Sequence, residues 1–247
     1  MTVLVLFSVL LLIIIQSTLG AGILIFGVPI LTIYGFEYLD IVGLLLPSSM
    51  TISTLQLFKY PNAKTDEFKR LPTAILGIII GLVISTQLDV ISAIPSIIGS
   101  LMLLAVVFRT SALTKRNFEH FFQKNPSLFH FFNAILHGFT NLGGVFLTVY
   151  SSSVHKAKVP AVSCTALFYL VYAASQMTII IIIGQVEIFK SGLVYVPVTA
   201  LIYMMFGEKS FMIVHQERFD RLTTLFFLCA GSILVMQKLS FWGLGMI

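Results

Sequence analysis

Leu19-Gly20-Ala21-Gly22-Ile23-Leu24-Ile25-Phe26-Gly27-Val28-Pro29-Ile30-Leu31 interrupts a long apolar run with two closely spaced glycines and then resumes it. In the other half of the chain Phe139-Thr140-Asn141-Leu142-Gly143-Gly144-Val145-Phe146-Leu147-Thr148-Val149-Tyr150 does the same. Each break follows an apolar segment and is followed by a short loop and a long stretch rich in Ser and Thr. Glycine permits a sharp turn and close approach of other backbone or of a ligand. A broken helix duplicated in this way exposes backbone groups at mid-membrane, an arrangement that points to a solute carrier.

The rest of the composition places the chain in lipid. Of its 247 residues 57% are hydrophobic and 10% charged, with a mean hydropathy of +1.00. A soluble domain carries about a quarter charged residues, and a membrane helix needs roughly 20 mostly apolar ones. Apolar segments fall near 3–34 (broken at 16–22), 40–58, 71–88, 90–108, 129–153 (broken at 138–144), 160–186, 191–214 and 218–238. The expected fold is an all-α membrane protein of about eight membrane segments in two repeats of four, 1–108 and 129–247. Residues 109–128 join them as a cytoplasmic, interfacial amphipathic connector carrying Phe118, Phe121 and Phe122. Pro72 and Pro160 sit at segment starts, where the missing N–H costs nothing. Val3–Ile15 has no preceding Lys or Arg, so it reads as a retained segment and not a signal peptide.

The formal charge of +5 does not imply nucleic acid, because the Lys and Arg lie in short loops flanking apolar segments, where they set topology. Cys164 and Cys229 both lie in apolar segments and read as small thiols, not a disulfide framework.

An offset of 122 residues aligns Thr18 with Thr140, Gly22 with Gly144 and Ser53 with Ser175. Charge then relates the two copies. Eight simple crossings from a cytoplasmic N-terminus leave Lys156, Lys158, Lys209, Arg218 and Arg221 outside. If 129–153 is instead a re-entrant hairpin entered from the cytoplasm, only Lys190 and Lys238 remain outside, and the positive-inside rule favours that arrangement. The second repeat is then an inverted copy of the first, with a broken or re-entrant first segment in each.

The residues at the breaks are small or carry amides and hydroxyls: Gln16, Ser17, Thr18, Gly20 and Gly22 in one, His137, Thr140, Asn141, Gly143 and Gly144 in the other. A helix restarting in the membrane offers N–H groups and a positive dipole end to an anion. The same small residues also allow close helix packing in lipid. Ser49, Ser53 and Gln56 share one face of the helix after the first break, and Gln56 and Gln176 are the costlier groups to bury. His137 is the clearest ionisable group at membrane depth and a functional candidate on that ground. Asp89 and Glu187 fall at segment ends, and Glu208 and Lys209 form a candidate interfacial pair. No HExxH, Walker loop, G-x-S-x-G or CxxC occurs, and the spacing of His120, His130, His155 and His215 suggests no metal cage. No cofactor or metal is expected.

Gly20-Ala21-Gly22 through Pro29-Ile30-Leu31, His137-Gly138-Phe139 through Gly143-Gly144, and the basic start and late small residue of Arg218-Phe219 through Gly231 resemble the sulfite exporter TauE/SafE family. The resemblance implies a multipass inner-membrane permease for small anions, often sulfur-containing oxyanions or organosulfonates. The expected partners are thus a small anionic solute and the lipid bilayer. The expected mechanism is alternating access, with substrate between the two tips bound by Gln16, Thr18, Gly20, Gly22, Ser53, Gln56, His137, Thr140, Asn141, Gly143, Gly144 and Gln176. Two other readings stay open. One is a membrane-embedded enzyme acting on a lipid or lipid-linked substrate, for which the His215-Gln216-Glu217 neighbourhood offers polar groups close together. The other is a non-catalytic membrane scaffold or assembly factor.

Overall fold

A computed structural model describes residues 3–61, 65–87, 93–155, 157–207 and 216–244. Side chains 65, 87, 115, 118–119, 216–220 and 238–244 lie outside the description. Asp89, Lys156, the Glu208–Lys209 pair and the His215-Gln216-Glu217 side chains therefore fall outside the described residues.

Among the described residues the fold is all helical. Each break separates two short arms: α1 (Val3–Leu19) from α2 (Ile23–Ile33), and α8 (Pro126–Thr140) from α9 (Gly143–Val154). With 11 and 12 residues, α2 and α9 rise about 16–18 Å, roughly half a hydrocarbon core. Between and after them run α3 (Tyr38–Lys59), α4 (Thr65–Phe68), α5 (Leu71–Gln87), α6 (Ile94–Thr110), α7 (Ala112–Lys124), α10 (Lys158–Ile182), α11 (Lys190–Leu193), α12 (Val196–Ile202) and α13 (Gln216–Leu244).

Tyr38–Lys59, Asp66–Thr86 and Lys158–Ile182 are each long and apolar enough to cross a bilayer, and Val186–Leu193 with Val196–Gly207 forms a fourth, broken candidate span bent by 42°. The remaining apolar helices are shorter. Large apolar side chains point outward along α1 (Leu4, Phe7, Leu11), α5 (Leu76, Val83) and α13 (Leu222, Leu225, Met236). Such a surface suits lipid, and the chain is a multi-pass membrane protein. The segment expected as one run at 191–214 is bent because the chain turns at Val194–Tyr195 before Pro197 opens α12.

The arms interlock. α5 and α8 pack backbone on backbone: a Cβ on Gly81 would stand 2.2 Å from Ile135 O, and one on Gly138 2.6 Å from Ile78 O. α6 and α13 approach through Gly99 and Gly231, each against the other's carbonyl. Without a hydrophobic drive between helices in lipid, such small-residue contacts supply the packing. Phe26 of α2 packs edge-on against Phe226 of α13 at 4.9 Å, while Phe146 of α9 packs edge-on against Phe108 of α6 at 6.0 Å. α3 and α10 run antiparallel, with Ser163 at the start of α10 donating to the carbonyl of Tyr60, just past the end of α3.

Candidate functional site

The first tip owes its shape to backbone that glycine tolerates. Gly20 has φ +84° and Gly22 φ +155°, conformations that L side chains rarely adopt. Gln16, fully buried in the last turn of α1, braces the tip. Its Oε1 accepts the Ile23 N–H at 3.0 Å, and its Nε2 donates to Ser49 Oγ at 3.3 Å and Ser49 O at 3.4 Å. The sequence reading left the restarting N–H groups to a ligand; one of them is instead taken by this amide. The Thr18 hydroxyl donates to Ile15 O, so it too is engaged locally.

At the second tip Asn141 adopts the left-handed conformation, φ 58°, and ends α8 with its N–H on His137 O at 2.7 Å. Asn141 Nδ2 donates to the Tyr38 hydroxyl at 2.8 Å, which itself donates to Gly138 O at 2.9 Å. The Thr140 hydroxyl donates to Leu136 O and accepts the Leu142 N–H at 3.2 Å. The first tip lies against the beginning of α10, where a Cβ on Gly20 would reach Val162 Cγ2 at 2.9 Å. The second lies against the beginning of α3 through Tyr38.

Gly143 and Gly144 are packed, not open. A Cβ on Gly144 would fall 1.6 Å from Tyr169 Oη, and one on Gly143 2.6 Å from His137 Cβ. His137 is fully buried, edge-on to Tyr169 at 5.7 Å and tilted on Tyr172 at 4.8 Å, while Asn133 Nδ2 donates to Tyr172 Oη. Ser53, Gln56 and Gln176 are likewise buried. Both amide atoms of Gln176, Gln56 Oε1, both His137 ring nitrogens and Tyr169 Oη have no hydrogen-bond partner among the described residues.

Beside the first tip opens a cavity of about 840 Å³. Leu19, Gly20 and Ala21 form one wall, and the facing ends of α6, α9, α10 and α13 form the others. Arg109, Lys158 and Arg221 line it together with Thr110, Thr148, Ser152, Ser153, Thr165 and Thr224 and with apolar side chains such as Val106, Phe108 and Leu225. The hydroxyls of Thr110, Thr148, Ser152, Ser153 and Thr165 each donate to a carbonyl of their own helix. Neither Asp nor Glu is among the described residues that line the cavity. Arg109 Nε donates to Thr224 Oγ1 at 3.1 Å, tying α6 to α13 across the rim. Of the sequence candidates only Gly20 lines this cavity. Its cations were legible in the sequence solely as topology markers, since nothing local to Arg109 or Arg221 announces that their helix ends converge.

Over residues 5–234 the sequence matches the sulfite exporter TauE/SafE family. The chain belongs to that family. No curated protein and no solved structure matches it. This TauE/SafE chain is therefore a membrane transporter, in keeping with the three cations at the cavity beside the broken tip and with the family's description as exporters of a sulfur anion.

Proposed function

We propose that the protein is a secondary carrier of a small, sulfur-containing oxyanion or organosulfonate in the inner membrane, working by alternating access of two inverted repeats. One observation carries the reading: Arg109, Lys158 and Arg221 converge on the cavity at the first tip, with no Asp or Glu among its described lining residues. Cations attract an oxyanion into such a space, whereas a lining Asp or Glu would repel it.

The antiparallel run of the equivalent helices α3 and α10 supports the inverted relation, and the packing of the two repeats is reciprocal. Tip one meets the start of α10 and tip two the start of α3, and Phe26 on Phe226 mirrors Phe146 on Phe108. On this reading the cavity is the cytoplasmic vestibule, and Gly20 is the tip residue nearest to substrate. The partnerless interior groups of Gln176, Gln56 and His137 bind substrate farther in when the repeats rock. Gly22, Ser53, Thr140, Gly143 and Gly144 shape the walls of that path, with Gln16, Thr18 and Asn141 holding its tips.

Flux in proteoliposomes loaded in turn with sulfite, sulfate, thiosulfate, sulfoacetate and small carboxylates tests the proposal. Wild-type protein should move at least one sulfur oxyanion, and Arg109→Gln or Arg221→Gln should weaken its apparent affinity about tenfold, equivalent to about 1.4 kcal/mol. Absence of flux for every anion, or unchanged affinity in both variants, overturns it.

A further inference from the structure

Glu67 of α4, His155 in the link after α9 and Cys164 near the start of α10 are remote in sequence but adjacent in the fold. One ligand atom from each lies within 4.8 Å of the other two. All three are nearly closed to solvent, at 2%, 4% and 0% exposure. Carboxylate, imidazole and thiol together are the donor mixture of a zinc site. Zinc bonds of about 2.0–2.3 Å in a tetrahedron set donors roughly 3.3–3.8 Å apart, so these side chains need to close by only about 1 Å.

The surroundings give a second, independent indication. A carboxylate this deeply buried is costly unless both oxygens are engaged. Arg70 Nη1 donates to Glu67 Oε1 at 2.6 Å and to the Tyr150 hydroxyl at 2.9 Å, holding one side of the carboxylate. Glu67 Oε2 lies 3.4 Å from His130 Nε2, and neither atom makes a well-formed hydrogen bond. His130 is itself fixed by stacking on Phe168 with ring centroids 3.7 Å apart. One carboxylate oxygen is thus aligned by an arginine while the other keeps lone pairs to spare. His155 also lines the large cavity, which gives an ion a route in.

We propose that Glu67, His155 and Cys164 bind one divalent transition-metal ion of the zinc class at the edge of the cavity. The metal–sulfur bond forms as the Cys164 thiol releases its proton to water. Arg70 and His130 position the carboxylate, as outer partners commonly do around a metal. Thiolate and carboxylate neutralise the ion's two charges, and Arg70 leaves the cluster positive beside a cavity already rich in cations. The site is independent of the carrier reading, because ion binding is measured without flux.

The experiment uses the full-length protein in detergent, stripped with a chelator and dialysed against zinc or cobalt(II) chloride. The expected result is one zinc per chain by elemental analysis, and a cobalt–thiolate charge-transfer band in the near ultraviolet. Cys164→Ser should abolish that band, His155→Gln should weaken zinc binding about tenfold or more, and Cys229→Ala, changing an exposed thiol elsewhere, should alter neither. Wild-type protein that retains no zinc overturns the proposal, as does a cobalt complex without the thiolate band. Both are read on wild type, so they hold whether or not the variants fold.

Discussion

Replacing Gln16 with Leu separates a strut from a ligand. In the folded chain its amide makes one good hydrogen bond, from the Ile23 N–H at 3.0 Å, and two long ones to Ser49 at 3.3 and 3.4 Å. Leu leaves the Ile23 N–H orphaned at the start of α2, and an unsatisfied buried donor costs about 1–3 kcal/mol. Losing the link to Ser49 adds about 0.6 kcal/mol, the average for an interhelical hydrogen bond in a membrane protein. The new apolar side chain recovers part of this, leaving a net loss of about 2 kcal/mol, or roughly a 30-fold shift in the unfolding equilibrium. Gln16→Glu keeps an acceptor for Ile23 N–H at the start of α2 and should recover more than half of the loss.

The assay is unfolding of purified protein in mixed micelles with rising dodecyl sulfate, run beside a measurement of anion affinity. Gln16→Leu should unfold at a clearly lower detergent fraction, with Gln16→Glu in between and anion affinity little changed in the folded fraction. A Leu variant as stable as wild type but with weakened anion binding would refute the bracing role and return Gln16 to the substrate.

Tyr38→Phe removes the hydroxyl joining Asn141 to Gly138 O and should cost about 1–2 kcal/mol; amide exchange at 141–144 should quicken while that at 20–23 does not, and equal exchange at both tips would show that Tyr38 does not hold the second. Single-cysteine labelling in a background lacking Cys164 and Cys229 should reach loops 59–70, 109–128 and 154–159 from the cytoplasm alone; a cysteine at Lys156 labelled only from the periplasm sinks the inverted arrangement.

Both breaks were legible because their cause is local. Gly20 and Gly22 occupy backbone that other residues resist, and Asn141 is the residue type besides Gly that takes the left-handed conformation readily. The helices rich in Ser and Thr were legible from length and hydropathy, and the family from the two copies together. What Gln16 does was not legible. A buried amide beside a break has the same sequence signature whether it caps a helix or binds a solute, and only the position of the Ile23 N–H distinguishes the two. The packed state of Gly144 was hidden similarly, since Tyr169 reaches it from another helix. Glu67, His155 and Cys164 share no segment, so no spacing rule gathers them.

The cavity cations show how one physical constraint conceals another. In membrane proteins Lys and Arg concentrate on the cytoplasmic side because topology demands it, so a basic cluster at helix ends carries no separate sequence signal of binding. Yet Arg109, Lys158 and Arg221 stand at the ends of three different helices that meet around the first tip. On the inverted reading that end faces the cytoplasm, and the charges that orient the chain also raise the local concentration of anions at the vestibule. In the export direction that the family's name describes, loading is from that side, so capture and topology would call for the same charge at the same place. The opposite end gains nothing from such charge, because a low affinity there favours release. Among the residues predicted to face outward, Lys190 has Glu187 as its ion-pair partner, which limits its pull on a departing anion.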